Sequence, residues 1–329
     1  MKESISLLIF TYLFERAMLS RPKTRLARLF NRILTHAYSW VRRFSDPVVR
    51  VKVRDRYLYM NSSHALPQHA AIWPYYDTAL PRLCVFLRRQ RGYLSLIDVG
   101  ANVGDSVSFI ASKVSGSFLC VEGDGKYVDL LKMNVKDIDN VTIENALVSD
   151  VEETLCVSLV HTQGTSHVAR TVARTSNRDR HGATATTTVD RLVEKHPAFA
   201  KTNVIKIDTD GYDFKVIRGS DALIRKCTPV IYFELSPEHL RLIGGEDPMS
   251  IFNYVLERGY SNALFYDSTG LPLMNVKTSE TRTISMLLNY ASIKGWFYYD
   301  VLLFHDSQED DFVEFYRQET QLFPPKRWF

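Results

Sequence analysis

The chain has 329 residues, of which 45% are apolar and 24% are charged, and its net charge is +4. This composition excludes wholesale disorder, and the length is enough for one large core or for one domain with extensions. The charge is unevenly spread, because residues 1–56 hold thirteen lysines and arginines against four acids, a balance of +9. The remaining residues therefore carry −5, and the sequence predicts a basic N-terminal arm on a mildly acidic body.

The four cysteines are far apart, none forms a C-x-x-C pair, and most lie in apolar runs. This spacing favours reduced, buried thiols in a cytosolic protein over disulfides or a zinc site. The apolar run Ile5–Phe14 is shorter than the roughly 20 residues that span a bilayer. Because Glu15 and Arg16 follow it directly, it lacks the cleavage pattern of a signal peptide, and we expect none.

Residues 1–48 are predicted to form a basic, amphipathic helical extension. From residue 26 onward, apolar side chains recur at helical spacing, and basic side chains share another face. The apolar positions are Leu26, Leu29, Phe30, Ile33, Leu34, Ala37, Val41 and Phe44, and the basic ones are Arg25, Arg28, Arg32 and His36. Two interpretations stay open: the helix covers the core with a solvated basic face, or it lies on anionic lipid.

The segments around the core strands are predicted from alternation and from turn residues. Val49–Tyr59 alternates apolar and charged residues, which is typical of a single half-exposed strand. Asn61–Trp73 is predicted to be a loop and Asp77–Gln90 a helix. Thr162–Arg180, rich in Thr, Ser and Arg, is predicted to be a mobile loop, and Phe214–Arg225 to be one helix.

The stretch Leu94–Ser108, which reads LSLIDVGANVGDSVS, organises the rest of the chain. It begins as an apolar strand, and Gly100 and Gly104 then allow a tight turn and a close approach of backbone to a ligand. Asp105 and Ser106 are suited to open the helix that follows. A strand, a glycine turn and a helix N-terminus together form a nucleotide cradle in open α/β sheets.

Later stretches place further polar residues at strand ends. Ser117–Asp124 is a second apolar strand that ends at Glu122, whose carboxylate can accept hydrogen bonds from both hydroxyls of a ribose. A third strand and a polar turn follow in TIENALVSD. Asn203–Ser220 is a fourth strand with Asp208 and Asp210 at its tip. Acids at successive strand tips meet at one edge of one sheet, which favours a site over a solvated face.

The motifs DVGANVGDS, VEGD, NALVSD and KIDTDGYDFKVIRG, in this order, resemble the FkbM-type S-adenosylmethionine-dependent methyltransferases. The resemblance covers about Val51 to His305. It implies a Rossmann-like class I methyltransferase fold, α/β, with a seven-stranded, mostly parallel sheet and an antiparallel last strand. The predicted domains are accordingly the extension at 1–48, a methyltransferase domain at 49–305, and a C-terminal helix and tail at 306–329. Where the family usually has Asp-x-Glu-Gly, this chain has Asp208-Thr209-Asp210-Gly211, which keeps the charge and shortens the second acid by one methylene.

The resemblance implies an O-methyltransferase that uses S-adenosyl-L-methionine on a hydroxyl of a sugar, a glycan or glycolipid, or a secondary metabolite. It places the reaction at Asp208 and Asp210, with Glu234 able to join them. The residues implied for cofactor binding are Asp98, Gly100, Ala101, Asn102, Gly104, Asp105, Ser106, Glu122, Gly123, Asp124, Asn145, Ala146 and Asp208. The three acids could also hold a divalent ion, but the sequence requires no metal, and no metal ligand is assigned.

Alternatives remain in two other classes: an NAD(P)-binding Rossmann oxidoreductase, and a non-catalytic, membrane-associated adaptor with a methyltransferase fold. The expected partners are a small-molecule or glycan acceptor and, through the basic helix, the surface of a membrane. No nucleic acid is expected, and a homo-oligomer is a candidate. The expected location is cytoplasmic, peripheral on the inner membrane face. His161 and His167 are secondary candidates for the base, and Arg170, Arg174, Arg178 and Arg180 could meet an acidic substrate.

Overall fold

The structure, a computed structural model, describes residues 5–19, 24–42, 44–162, 165–170, 183–295 and 297–323. Its strands are β1 Val48–Val53, β2 Arg56–Asn61, β3 Ser95–Val99, β4 Ser117–Glu122, β5 Val141–Asn145, β6 Leu147–Val148, β7 Thr154–Thr162, β8 Thr165–Arg170, β9 Ala183–Thr187, β10 Val204–Ile207, β11 Val230–Leu235, β12 Asn262–Asp267, β13 Pro272–Lys277 and β14 Tyr299–Phe304.

The helices alternate with these strands. They are α1 Ile5–Phe14, α2 Arg25–Arg42, α3 Leu66–Ile72, α4 Ala79–Arg91, α5 Asp105–Ala111, α6 Gly125–Val135, α7 Val189–Lys195, α8 Asp213–Arg218, α9 Asp221–Cys227, α10 Pro237–His239, α11 Ser250–Leu256, α12 Thr281–Lys294 and α13 Glu309–Leu322. Short π-helical turns occupy Glu15–Leu19 and Leu240–Gly244, and short 3₁₀ turns occupy Pro197–Phe199 and Asp306–Gln308. None of the described helices is both long and apolar enough to cross a bilayer.

The central sheet has eight strands in the order β13-β12-β14-β11-β10-β3-β4-β5. The five strands from β11 to β5 in this order run parallel, and β14 is antiparallel to both of its neighbours. The predicted Rossmann-like, mostly parallel sheet with an antiparallel strand is therefore confirmed. Strands β3 and β10 are completely buried, because helices cover both faces of the sheet.

The strand count is eight rather than the predicted seven. The additional strand is β13, which turns back from β12 and pairs with it antiparallel at the edge of the sheet. Asp267 stabilises the intervening turn, because its Oδ1 accepts hydrogen bonds from the backbone N–H groups of Thr269 and Leu271. Gly270 in this turn has a φ of +84°, which other residues adopt only at a cost.

Three predicted segments are divided or ordered differently. Val49–Tyr59 is not one strand but part of the hairpin β1–β2, whose turn places Arg54 at a φ of +54°. Asn61–Trp73 is not only a loop, because it contains α3. Phe214–Arg225 is broken into α8 and α9 at Gly219, where a Cβ would lie 2.2 Å from the carbonyl oxygen of Ser149.

A smaller sheet, ordered β6-β9-β7-β8, follows the third parallel strand. Strand β8 falls within Thr162–Arg180, which was predicted to be a mobile loop, so that prediction is wrong for residues 165–170. Residues 171–182, including Arg174, Arg178 and Arg180, lie outside the described residues. The side chains of His161, His167 and Arg170 also lie outside the described part of the structure.

Helix α2 leaves its apolar stripe exposed. On α2, Tyr38 is buried, whereas Leu26, Leu29, Phe30 and Ile33 are 79%, 57%, 55% and 59% exposed. The first interpretation of this helix, in which its apolar face covers the core, is therefore wrong. The buried side of α2 is a different one, on which the hydroxyl of Tyr38 donates to the backbone oxygen of Ser62.

Candidate active site

A cavity of about 700 Å³ opens at the carboxyl ends of the parallel strands. This is the edge at which open α/β sheets bind ligands, because the strand-to-helix loops diverge there. The cavity is lined mainly by residues from the ends of β3, β10, β11 and β14 and from α3 and α4. Its lining includes Asp77, Gly100, Asn102, Asp105, Lys206, Asp208, Asp210, Glu234, His239 and Asp300.

The turn after β3 is packed directly against the end of β10. The N–H groups of Gly100 and Ala101 both donate to the carbonyl oxygen of Val121, which holds the turn on β4. Gly100 has a φ of +79°, and a Cβ at this position would lie 1.8 Å from the backbone oxygen of Asp208. Only glycine fits here, so the sequence places the turn and the acidic strand tip in contact.

Helix α5 begins next to this turn. Gly104 occupies the position before the first residue of the helix with left-handed backbone geometry. A Cβ on Gly104 would lie 2.5 Å from Leu131 of α6, so this glycine also permits helix packing. Asp105 is in the first turn of α5, where its carboxylate interacts favourably with the helix dipole.

Lys206 is a buried cation that is not among the predicted site residues. It lies in the middle of β10, and its Nζ donates to the backbone oxygen of Gly100 at 2.9 Å. The same Nζ is 3.1 Å from Oδ1 of Asp98 and 3.4 Å from Oδ2 of Asp208. Burial alone would lower the pKa of Lys206, but the neighbouring carboxylates outweigh it and raise the pKa, so the ammonium stays charged.

Asp98 is fully buried beneath the cavity lining rather than at its surface. Burial raises the pKa of Asp98 to about 6, although Lys206 acts to lower it. Asp208 is different, because its side chain is 47% exposed. Lys206 therefore links a covered carboxylate to one that faces the cavity.

Next to Asp208, two acids and a histidine converge. Oδ1 of Asp210 is 3.5 Å from Nδ1 of His239, and Oε1 of Glu234 is 3.6 Å from the same nitrogen. Burial raises the pKa of Asp210 to about 8, and the charges of Asp208 and Asp213 add to this shift. Burial also raises the pKa of Glu234 well above its usual range.

Two more acids, from distant parts of the chain, line the same cavity. Asp77 precedes α4, and Asp300 lies in β14. Burial raises the pKa of Asp300 to about 7 with a contribution from Asp208, and burial raises the pKa of Asp77 well above its usual range. Among the described residues that line the cavity, Lys206 is the only lysine or arginine, so carboxyl groups dominate its charge.

Glu122 holds the loops beside the cavity. Its Oε2 accepts a hydrogen bond from the N–H of Asn102 at 2.8 Å, and its Oε1 accepts one from the N–H of Asp124 at 2.8 Å. Asp124 in turn caps α6 by accepting from the N–H of Lys126. The side-chain amide of Asn145 donates to the backbone oxygens of Glu122 and Gly123. The ends of β4 and β5 are thus tied to the glycine turn.

The predicted site residues fall into two groups. Gly100, Asn102, Asp105, Ser106, Asp208 and Asp210 line the cavity, with Asp98, Ala101 and Gly104 directly behind the turn. Glu122, Gly123, Asp124, Asn145 and Ala146 lie together at the ends of β4 and β5.

Several lining residues were not predicted, although two left a signal in the sequence. Lys206 interrupts the apolar run Val204–Ile207, and Asp300 interrupts the apolar run Tyr298–Phe304. A charged residue in a strand that is otherwise fully apolar indicates either a buried partner or a site. His239 and Asp77 carried no comparable signal.

Residues 98–261 match the family model of the methyltransferase FkbM domain. The chain carries an FkbM methyltransferase domain. This confirms the predicted family and, with it, methyl transfer from S-adenosyl-L-methionine as the general chemistry. The matched residues of the FkbM domain run from Asp98 to Ser261 and so include the glycine turn, Glu122, the two acids after β10, Glu234 and His239.

Solved structures resemble the chain only distantly, and no curated protein matches it. An FkbM methyltransferase from Methylobacillus flagellatus KT is 11% identical, with 78% of this chain and 55% of that chain covered and a TM-score of 0.37. An O-methyltransferase from Bacillus cereus, solved in complex with SAH, is 13% identical, with 71% and 86% covered and a TM-score of 0.38. A precorrin-6y C5,15-methyltransferase from Geobacter metallireducens GS-15 is 13% identical, with 73% and 88% covered and a TM-score of 0.36. The strand order of the central sheet itself shows the Rossmann-like fold.

Proposed function

We propose that the FkbM domain transfers the methyl group to a hydroxyl oxygen of a neutral, polyhydroxylated acceptor, such as a sugar, a glycan or the headgroup of a glycolipid. The observation that supports this is the position of Asp208, half-exposed to the cavity and 3.4 Å from a buried ammonium. A carboxylate in that position can hold a hydroxyl and take its proton.

The residues around the glycine turn fit S-adenosyl-L-methionine. When bound, the cofactor supplies an electrophilic methyl group on a cationic sulfur. Gly100 and its neighbours offer closely packed backbone for the methionine part, and Glu122 offers carboxylate oxygens for the ribose hydroxyls. Gly123, Asp124, Asn145 and Ala146 lie beside Glu122, where they would border the nucleoside. Asp98, which is covered, would position Lys206 and the turn.

The charge of the cavity supports a neutral acceptor. The six carboxyl groups that line it are those of Asp77, Asp105, Asp208, Asp210, Glu234 and Asp300. Carboxyl groups accept hydrogen bonds from hydroxyls and repel phosphates and carboxylates. The same repulsion disfavours a nucleic-acid acceptor. A hydroxylated secondary metabolite remains the second choice, because it offers the same donors on a smaller scaffold.

Asp208 is the residue proposed to take the acceptor proton. The ammonium of Lys206 lies 3.4 Å from the carboxylate of Asp208, and the exposure of Asp208 gives the proton a route to water. Asp208→Asn keeps the shape of the side chain but removes its basicity. We expect its turnover to fall by roughly 10²–10⁴, the usual range for a general base, with little change in affinity for S-adenosylhomocysteine.

The test is a screen for transfer of tritiated methyl groups to neutral glycans, glycolipids and small polyols, together with calorimetry. S-adenosylhomocysteine should bind and NAD should not, which separates methyl transfer from an oxidoreductase. Asp129→Asn, on the exposed side of α6, is the matched control and should retain full turnover. Near-normal turnover of Asp208→Asn would remove this residue from the proposed role. Binding of the cofactor without transfer to any acceptor would favour the adaptor hypothesis.

We also propose that residues 1–48 dock the 49–305 body, with its 306–329 tail, onto an anionic bilayer at the inner, cytoplasmic membrane face. The supporting observation is the exposed apolar stripe on α2, formed by Leu26, Leu29, Phe30 and Ile33. Helical geometry places Arg25, Arg28 and Arg32, all exposed, along one border of that stripe. Such a helix lies in the membrane surface with its apolar face inserted and its arginines at the phosphates.

Sedimentation with vesicles tests the membrane proposal. The full chain should bind vesicles that contain phosphatidylglycerol more tightly than vesicles of phosphatidylcholine, and added salt should weaken the binding. Leu29→Glu should abolish the binding, and the triple change of Arg25, Arg28 and Arg32 to Gln should remove its preference for anionic lipid. Equal binding by Leu29→Glu, or a dimer whose formation depends on Leu29, would overturn the proposal.

A further inference from the structure

The cluster of Asp210, Glu234 and His239 is the strongest feature of the cavity that methyl transfer alone does not explain. The three residues come from three separate elements: the loop after β10, strand β11 and helix α10. One donor atom from each side chain lies within 4.8 Å of the other two. All three face the cavity that holds the proposed reaction.

The spacing within the cluster is longer than that of hydrogen bonds. Nδ1 of His239 is 3.5 Å from Asp210 and 3.6 Å from Glu234, whereas hydrogen bonds between nitrogen and oxygen are about 2.7–3.2 Å. Two donors that each lie about 2.1 Å from a common ion are roughly 3.0–3.4 Å apart at tetrahedral or octahedral angles. The observed separations are close to this second range.

A second observation concerns Glu234. Its Oε1 is inaccessible to water and has no hydrogen-bond partner among the described residues. A buried carboxylate oxygen without a partner is costly, and here Asp208, Asp210 and Asp213 are further acids nearby. Lys206 is engaged by Asp98, Asp208 and the backbone of Gly100. A cation between Glu234, Asp210 and His239 would neutralise the charge at Oε1 of Glu234, which Lys206 does not reach.

We propose that Asp210, Glu234 and His239 bind a first-row divalent ion, such as Mn²⁺ or Zn²⁺, with its open positions toward the cavity. Two carboxylates and one imidazole suit these ions better than Ca²⁺, which takes oxygen ligands only. The backbone of His239 packs closely on the loop after β10, since a Cβ on Gly211 would lie 2.5 Å from the carbonyl oxygen of His239. The role of this ion rests on the proposed function, because an ion there would hold the acceptor's hydroxyl oxygen beside Asp208.

Binding is tested on the full chain after dialysis against EDTA, without cofactor or acceptor. Titration with Mn²⁺, followed by electron paramagnetic resonance of the free ion, should show one strong site. Zn²⁺ should raise the melting temperature of the dialysed protein. Glu234→Gln and His239→Gln should weaken Mn²⁺ binding by at least about 100-fold. Glu238→Gln, a neighbouring acid on α10 that is not part of the cluster, should bind Mn²⁺ as tightly as the unchanged protein.

The melting temperature without metal separates the site from a simple ion pair. If the cluster is a set of metal ligands, Glu234→Gln removes one of several crowded carboxylates, and the metal-free melting temperature should rise. If His239 is instead a cation that pairs with both acids, the same variant should melt at a lower temperature, which would overturn the proposal. Equal Mn²⁺ affinity in Glu234→Gln and Glu238→Gln would overturn it as well.

The outcome is independent of the proposed function. Methyl transfer that continues undiminished in EDTA, by a protein that binds neither Mn²⁺ nor Zn²⁺, overturns the metal site and leaves the transfer activity standing. One bound Mn²⁺ that is lost in Glu234→Gln supports the site even when no acceptor is methylated.

Discussion

The cavity at the carboxyl edge and the exposed face of α2 depart from ordinary burial in opposite directions. Carboxyl groups are withdrawn from water at the cavity, and Asp98 beneath its lining is fully buried. Helix α2 leaves Leu26 and Ile33 in water, although its sequence offers an apolar stripe that could have been covered. Both arrangements cost free energy in the isolated chain. The comparison agrees with the two proposals made above: hydroxylated or cationic ligands for the cavity, and a bilayer surface for the helix.

The two regions differ in how far the rest of the fold offsets the free-energy cost of buried carboxyl groups or exposed apolar side chains. In the cavity, Lys206 offsets part of the charge, and two backbone N–H groups do the same for Glu122. On α2, the buried Tyr38 anchors the helix from another side while the stripe remains uncovered. Loss of a compensating group such as Lys206 should therefore disturb the fold, and changes in the stripe should not.

The largest effect is expected from Lys206→Met. This change leaves Asp98 buried without its cation, and removal of one partner from a buried ion pair costs about 3–5 kcal/mol of unfolding free energy. Urea unfolding at pH 8 measures it. A loss below about 1 kcal/mol would mean that the Asp98–Lys206 pair does not support the cavity.

The pH dependence of this variant sharpens the test. The pKa of Asp98 is already raised to about 6, above the ordinary value of about 3.9. A raised pKa in the folded state contributes stability that is complete below pH 4 and is lost as the pH rises through 6. Without Lys206 the pKa should rise further, so at pH 5 the carboxyl is neutral. The deficit of Lys206→Met relative to the unchanged protein should therefore be smaller at pH 5 than at pH 8.

A pair of glycine changes gives the next effect. Gly92 and Gly100 have φ values of +75° and +79°, but a Cβ on Gly92 has nothing within 4 Å. Gly92→Ala should cost about 1–2 kcal/mol from backbone strain alone. Gly100→Ala adds a clash with the backbone of Asp208 and should also lower the affinity for S-adenosylhomocysteine by more than about 100-fold, or about 2.7 kcal/mol. Equal behaviour of the two variants, by calorimetry and urea unfolding, would mean that the turn relaxes without cost.

Much of the fold and half of the site follow from the sequence, because local signals coincide there. The glycine turn, Glu122 and the acids after β10 each follow a short apolar strand, and the ends of parallel strands meet at one edge. Lys206 was missed because a single charge in a four-residue strand resembles an ordinary break in the pattern. Asp77 and Asp300 could not be placed, since only the packing of α4 and β14 around the cavity brings them to it.

Local sequence patterns could not predict the hairpin turn between β1 and β2, helix α3 or the exposure of α2, for other reasons. The hairpin turn at Arg54 and Asp55 contains neither Gly nor Asn, the residues that usually mark a positive φ. Helix α3 has only seven residues, too few for an apolar period to appear. Periodicity identified the apolar stripe of α2 correctly, but it cannot say whether that stripe is covered.

Glu122→Ala should have a moderate effect that links the two loops of the cavity. The change removes carboxylate oxygens that accept from Asn102 and Asp124 and that are proposed to hold the ribose. Hydrogen bonds to a charged group contribute about 1.5–3 kcal/mol each, so the affinity for S-adenosylhomocysteine should fall by about tenfold or more. Calorimetry measures this, and unchanged affinity would mean that the ribose is placed wrongly.

The smallest effect, and the one that completes the comparison, is expected on the exposed face of α2. Leu29→Ser removes an apolar side chain that is already in water, so the free energy of unfolding should change by no more than about 0.5 kcal/mol. On the buried side of the same helix, Tyr38→Ala should cost about 3–5 kcal/mol, because it leaves a cavity in the core. Urea unfolding of both variants without lipid measures the contrast directly.

A large loss of unfolding free energy in Leu29→Ser would mean that the stripe is covered in the free protein, by the chain or by a second copy. The membrane proposal would then lose its main support. A near-zero loss, together with weaker binding to anionic vesicles, would show that Leu29 contributes to docking and not to the fold.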